Sequence, residues 1–169
     1  MKPTIREATA ADADAIGRIQ VETWRVAYAW LMPAAALEAA SVEERQRLWR
    51  DGLSSALPSQ RATFVAEAEG EVVGFASVGE CREPGSEDGE LYAIYLDQAR
   101  WGQGTGRALL ERAEESLRES GFADALLWVL DGNERAIGFY ERAGWLPSGR
   151  KTDTFQGAEV VELGYRKRL

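Results

Sequence analysis

The residues best placed to do chemistry are the glycine turn Trp101-Gly102-Gln103-Gly104-Thr105-Gly106-Arg107, which follows the apolar run 91–96 (LYAIYL) and opens directly into a helical pattern. Small residues let a backbone approach an anion closely. The first N–H groups of a helix point outward, with the positive end of the helix dipole behind them. A diphosphate would satisfy several of these otherwise unpaired donors. Two other phosphate motifs fail on their residues. A P-loop needs Gly-Lys-Ser/Thr, but Gly106 is followed by Arg107-Ala108; a dinucleotide fingerprint starting at Gly102 or Gly104 meets Arg107 or Leu109 where it needs a small residue. A glycine-rich connection without a ligand is the remaining alternative, but three alternating glycines at a strand-to-helix junction cost stability unless something must come close.

The elements that position this turn are legible in the patterning. Residues 4–7 read as a first strand, and Thr9 with Asp12 as a capping box that starts a helix. Ile16, Ile19, Gln20, Thr23, Trp24, Ala27, Tyr28 and Leu31 share one face of that helix, which Pro33 ends. A second helix is expected over 41–56, closed by Pro58. Runs 63–69 and 72–79 form a hairpin around Glu69-Gly70-Glu71, and 81–89 is loop. After the strand at 91–96, a helix over 104–120 turns Leu109, Leu110, Ala113 and Leu117 inward and stops at Gly121. The run 125–130 (ALLWVL) is apolar throughout, as for a strand covered on both faces beside a parallel neighbour. A helix over 133–143, stopped by Gly144, and a closing hairpin of 146–154 with 158–168 complete the chain. Arg107 with Glu111 and Glu114 with Arg118 are spaced as helical pairs on a solvated face.

Composition limits the chemistry. The 169 residues, 45% hydrophobic and 28% charged, suit a single domain spanning 1–169. A net charge of −8 opposes nucleic-acid binding and favours cationic partners. The chain has no histidine and one cysteine, Cys81, which leaves no Ser-His-Asp or Cys-His machinery, no disulfide and no expected metal site. Neither a signal peptide at 1–8 nor a membrane-length apolar run is present, so a cytoplasmic protein is expected. Catalysis would fall to carboxylates, tyrosines, hydroxyls and backbone groups.

With these residues in view, the sequence resembles the GNAT superfamily of acetyl-coenzyme A-dependent N-acetyltransferases. Its pyrophosphate motif, Gln/Arg-x-x-Gly-x-Gly/Ala, aligns onto Trp101 to Gly106, with Trp101 in the usual Gln/Arg position. Its Asn-x-x-Ala-x-x-Phe-Tyr-x-x-x-Gly-Phe block aligns onto Asn133 to Trp145. The resemblance implies an α/β fold: a mixed, mostly antiparallel sheet of six to seven strands, its central parallel strands four and five splayed, flanked by about four helices. It implies acetyl-CoA as co-substrate, without a metal, held by the backbone of Trp101, Gly102, Gln103, Gly104, Thr105, Gly106 and Arg107, by the strand stretch Ile94, Tyr95 and Leu96, and by Phe139 and Tyr140. Asn133 either touches the coenzyme or only caps its helix.

A thioester is already activated, so an amine can attack it without an enzyme nucleophile. By resemblance, Leu96 offers its N–H to the acetyl oxygen, Tyr140 protonates the departing thiolate, and Glu90 accepts the amine proton through water. An ordinary solvated carboxylate is the other reading of Glu90. The same resemblance puts Trp24, Tyr28 and Trp30 along the acceptor cleft, where plain amphipathic packing is the alternative for Trp24 and Tyr28. Tyr92 and Tyr95, on opposite faces of strand four by simple alternation, can supply only one wall residue between them, Tyr92. The acceptor expected is a small-molecule primary amine; a protein or peptide amine, or a non-catalytic acyl-CoA sensor, are the other readings. Homodimers are common in this family and are the assembly the resemblance implies.

Overall fold

The computed structural model describes residues 2–55 and 60–169, so Ala56 and Pro58, the expected end of the second helix, lie outside it. Among the described residues, seven strands form one sheet in the order β1-β2-β3-β4-β5-β7-β6: β1 Thr4–Glu7, β2 Ala62–Ala68, β3 Glu71–Glu80, β4 Gly89–Leu96, β5 Asp124–Leu130, β6 Leu146–Phe155 and β7 Ala158–Arg168. The helices are α1 Ala13–Ala27, α2 Ala34–Ala39, α3 Val42–Ser54, α4 Thr105–Glu119 and α5 Glu134–Arg142. Only β4 and β5 pair in parallel, and α4 is the crossover that makes this possible. None of the described helices is long and apolar enough to cross a membrane.

Alternation along the strands divides the core into two layers. Phe64, Ala66, Ala76, Val78 and Leu91 face α4, whose Leu109, Leu110, Ala113 and Leu117 are all buried against them. Each such leucine contributes about 1.5–3 kcal/mol by leaving water. Val65 and Phe75 point the other way and receive Ile16 and Ile19 of α1. The start of α1 is tied to β1 at Asp12: its carboxylate accepts the Thr9 N–H at 2.7 Å and two Arg6 N–H groups at 2.8 and 2.9 Å. The Arg6 hydrogen bond first, and that from Thr9 after it, hold this carboxyl below its usual range despite burial. At its other end α1 stops at Ala27, earlier than Pro33, and in the turn that follows the Tyr28 carbonyl accepts from Leu31 and Met32. The short α2 after Pro33 has no counterpart in the expected pattern.

One irregularity shapes the centre of the sheet. In the β3–β4 ladder, Ser77 opposes Ala93 and Val78 opposes Leu91, so Tyr92 is an extra, bulged residue. The bulge cancels the simple alternation expected for the tyrosines. Tyr92 stands over Gly79, Tyr95 packs on Phe75 with ring centroids 5.8 Å apart, and both side chains lie on the α1 side of the sheet. Beyond the bulge β4 also leaves its parallel neighbour: β4–β5 pairing covers only Gly89–Leu91 with Ala125–Leu127, although both strands continue past it.

The spacing to Arg118 suggests a solvated pair for Glu114, yet Glu114 is 4% exposed. It accepts two contacts from Lys167 Nζ, at 2.8 and 2.9 Å, and one from Trp145 Nε1 at 3.0 Å; Arg118 is farther, at 3.5 Å. These partners join α4 to β7 and to the end of α5, where Lys167 also donates to the Ala143 carbonyl. Removing the ammonium strands a buried carboxylate, which typically costs about 3–5 kcal/mol; with Trp145 still donating and the Arg118 charge nearby, Lys167→Met should cost about 2 kcal/mol. Chemical denaturation with an unchanged slope would measure it, and a loss below about 0.5 kcal/mol would show the bridge to be inert.

Candidate active site

The glycine turn begins where β4 ends. The Leu96 carbonyl accepts from Trp101 Nε1 at 3.0 Å and from Thr23 Oγ1 at 3.2 Å, so the indole that replaces Gln/Arg in the motif locks the strand end to the turn. Gly102 and Gly104 have φ of 74° and 86°, and a Cβ built on either would find no atom within 4 Å. Open space therefore lies in front of the turn, bounded by backbone. Gly104 caps α4 without any side-chain hydrogen bond, leaving the N–H groups of Thr105, Gly106 and Arg107 without a helical partner one turn back. This is an anion cradle at the positive end of a 15-residue helix.

A cavity of about 920 Å³ runs from the turn into the opening between β4 and β5. On one side it is bounded by Trp101, Gly102, Gly104, Gly106 and Arg107, by Asn133 at the cap of α5 and by Ala136, Phe139 and Tyr140 of α5; on the other it meets Tyr28, Tyr92, Tyr95 and Glu162. The ladder decides which backbone groups face the opening. The Asp97 N–H donates to the Val73 carbonyl, so by alternation Tyr95 and Ala93 exchange their bonds with β3, while Ile94 and Leu96 direct theirs toward β5. With β5 no longer paired there, the N–H groups of Ile94 and Leu96 face the gap.

Tyr140 is 8% exposed and borders the cavity, with Phe139 tilted against it. Burial first, and the neighbouring Tyr95 second, push its phenol well above the ordinary tyrosine range, so it carries its proton at neutral pH. The Asn133 side chain accepts from the Ala136 N–H at 3.4 Å, capping its helix, and also borders the cavity. Tyr28 and Tyr95 touch through their hydroxyls at 3.2 Å. Glu90 is 2% exposed rather than solvated: one oxygen takes the Arg82 guanidinium at 2.6 and 3.2 Å, the other the Arg82 N–H at 2.9 Å. It lies where β4 is still paired to β5, opposite Leu126.

Other expected residues sit elsewhere. Trp24 is buried behind the wall, edge-on to Tyr95 and Phe155, and Trp30 is 96% exposed. Neither borders the cavity, nor do Gln103, which donates back to the Ala99 carbonyl at 2.7 Å, and the buried Thr105. The structure adds residues that motif reasoning missed: Arg135, stacked 4.5 Å above the Trp101 ring, and Trp128, Lys151, Asp153 and Glu162 from the β5-β7-β6 end of the sheet. The α5 spacing could have flagged Arg135; the β6 and β7 charges carry no motif.

Comparisons with known proteins identify the family to which this fold belongs. Residues 20–145 match the Acetyltransferase (GNAT) family. The chain is 37% identical over 165 residues to the Bacillus subtilis (strain 168) protein named uncharacterized N-acetyltransferase YuaI, covering 95% of this chain and 90% of that one. It is 30% identical over 141 residues to the mycothiol acetyltransferase of Amycolatopsis mediterranei, covering 79% of this chain but only 42% of that protein. PaiA N-acetyltransferase from Thermoplasma acidophilum, solved with coenzyme A, superposes with a TM-score of 0.73 at 20% identity over the full length of both chains. With the family match covering most of the chain and the fold and glycine turn in place, the protein is an acyltransferase that belongs to the GNAT family.

Proposed function

We propose that this protein transfers the acetyl group of acetyl-CoA to the primary amine of a small molecule by direct attack within a ternary complex. The observation that carries the reading is the uncapped α4 N-terminus at the wall of a cavity that enters the β4–β5 gap. The N–H groups of Gly106 and Arg107, which border the cavity, bind the diphosphate, and the open faces of Gly102 and Gly104 admit it. Arg135, held on Trp101, adds positive charge beside the turn. The bound thioester supplies an activated acyl group in the gap. There the Leu96 N–H, assisted by that of Ile94, stabilises the oxyanion, and Tyr140 gives its proton to the leaving sulfur. The tyrosines on the α1 side receive the acceptor, and a volume of about 920 Å³ is within the range of small-ligand sites. Similarity to enzymes named for mycothiol, a small molecule, supports the same choice.

The test pairs binding with turnover. Acetyl-CoA at about 100 times its Kd should stabilise the fold by about 2.7 kcal/mol. A panel of amino acids, polyamines, aminoglycosides and short peptides should then reveal acetyl-CoA-dependent thiol release with a small amine. Stabilisation without release from any amine would convert the reading to an acyl-CoA sensor; release only with peptides would move the acceptor to proteins.

A further inference from the structure

The β5–β7 register puts Glu162 beside Leu130, past Leu127, where β4–β5 pairing has already ended. Its neighbour-but-one Val160 packs with Leu130, Trp24 and Tyr28, so alternation turns Glu162 to the α1 side of the sheet, into the cavity. Glu90 occupies a different level. Glu90, which also borders the cavity, opposes Gly79 whereas Ile94 opposes Ala76, about 10 Å further along the sheet, and both Glu90 oxygens are held by Arg82 at hydrogen-bond length. Glu162 is freer: Lys151 Nζ stays 3.5 Å away, is shared with Asp153 at 3.7 Å, and lies over the Trp128 ring at 4.3 Å.

We infer that Glu162 is the carboxylate that meets the acceptor amine and takes its proton, while Glu90 anchors the loop that carries Arg82. The inference rests on the acetyl-transfer reading. As the amine nitrogen bonds to the acetyl carbon, one N–H proton passes to a Glu162 oxygen; the C–S bond breaks, its electron pair stays on sulfur, and Tyr140 supplies the proton that makes the thiol. Solvent then returns a proton from Glu162 to Tyr140. The groups around Glu162 are Lys151 and Asp153 of β6, Tyr28 just past the end of α1, Tyr95 of β4 and Arg82 of the 81–88 loop. Burial, ahead of the opposing Lys151 and the reinforcing Asp153, raises the Glu162 carboxyl above the usual carboxylate range. A base must be deprotonated to act, so activity should fall on acidification at a higher pH than an ordinary glutamate would dictate.

The experiment compares kcat/KM against pH for the wild type, Glu162→Gln, Glu162→Asp and Glu90→Gln, using the most active amine of the panel. Glu162→Gln should lose about 100-fold and its acidic limb, Glu162→Asp should keep the limb at a reduced rate, and Glu90→Gln should keep the limb. Coenzyme affinity and melting temperature report that Glu162→Gln is folded. An acidic limb retained in Glu162→Gln, with a rate within about threefold of wild type, would overturn the assignment while leaving acetyl transfer standing. A wild type that binds acetyl-CoA but acetylates nothing would overturn both.

Discussion

Tyr140→Phe is expected to lower kcat about 100- to 1,000-fold while leaving the Kd for acetyl-CoA within about twofold. The ring keeps its packing against Phe139 and Trp145, so the substitution removes one hydroxyl from the cavity wall and little else. Without it the thiolate leaves unprotonated or draws on water. Because burial lifts the phenol well above 10, the wild type should show no loss of activity attributable to Tyr140 as pH rises toward 9. Single-turnover thiol release and a coenzyme titration measure the two halves of the prediction. An unchanged kcat would take the tyrosine out of the chemistry and leave it as a wall residue.

Gly106→Glu is expected to weaken acetyl-CoA at least about 100-fold, a change of about 2.7 kcal/mol, without destabilising the free protein. A Cβ at this position meets only Phe139, at 3.7 Å, so the fold accepts it. A carboxylate in the first turn of α4 should even add about 0.3–1 kcal/mol through the helix dipole. That carboxylate is in the place proposed for the diphosphate and repels it. The opposite signs make the result diagnostic: calorimetric titration should show the affinity loss, and a melt without ligand should show a Tm equal to or above wild type. Near-normal affinity would mean that the coenzyme does not use the turn.

Most elements could be read from the chain because local signals agreed with the final packing. The hairpins at Glu69-Gly70 and Gln156-Gly157 have their left-handed residues where the turn chemistry requires them, and the β7 bounds 158–168 coincide with the expected ones. The features that escaped depend on partners far away in sequence. Nothing in LYAIYL announces that Tyr92 is bulged, since a bulge exists only relative to the opposing Ser77 and Val78. Glu114 has helical spacing to Arg118, but its burial is decided by Trp145 and Lys167, 31 and 53 residues away. Glu162 and Lys151 look like alternating surface charges until β7 inserts between β5 and β6 and brings them beside the opening. Trp24 followed its helical face inward, and only the tertiary arrangement put it one layer behind the wall.

The doubly accepted carbonyl of Leu96 has a thermodynamic corollary. Thr23 reaches it from α1 and Trp101 from the glycine turn, so a single peptide plane is held from both sides. On the proposed reading, coenzyme and amine are expected to modify each other's dissociation constant by one common factor, whichever enters first, and Thr23→Val should bring that factor toward unity.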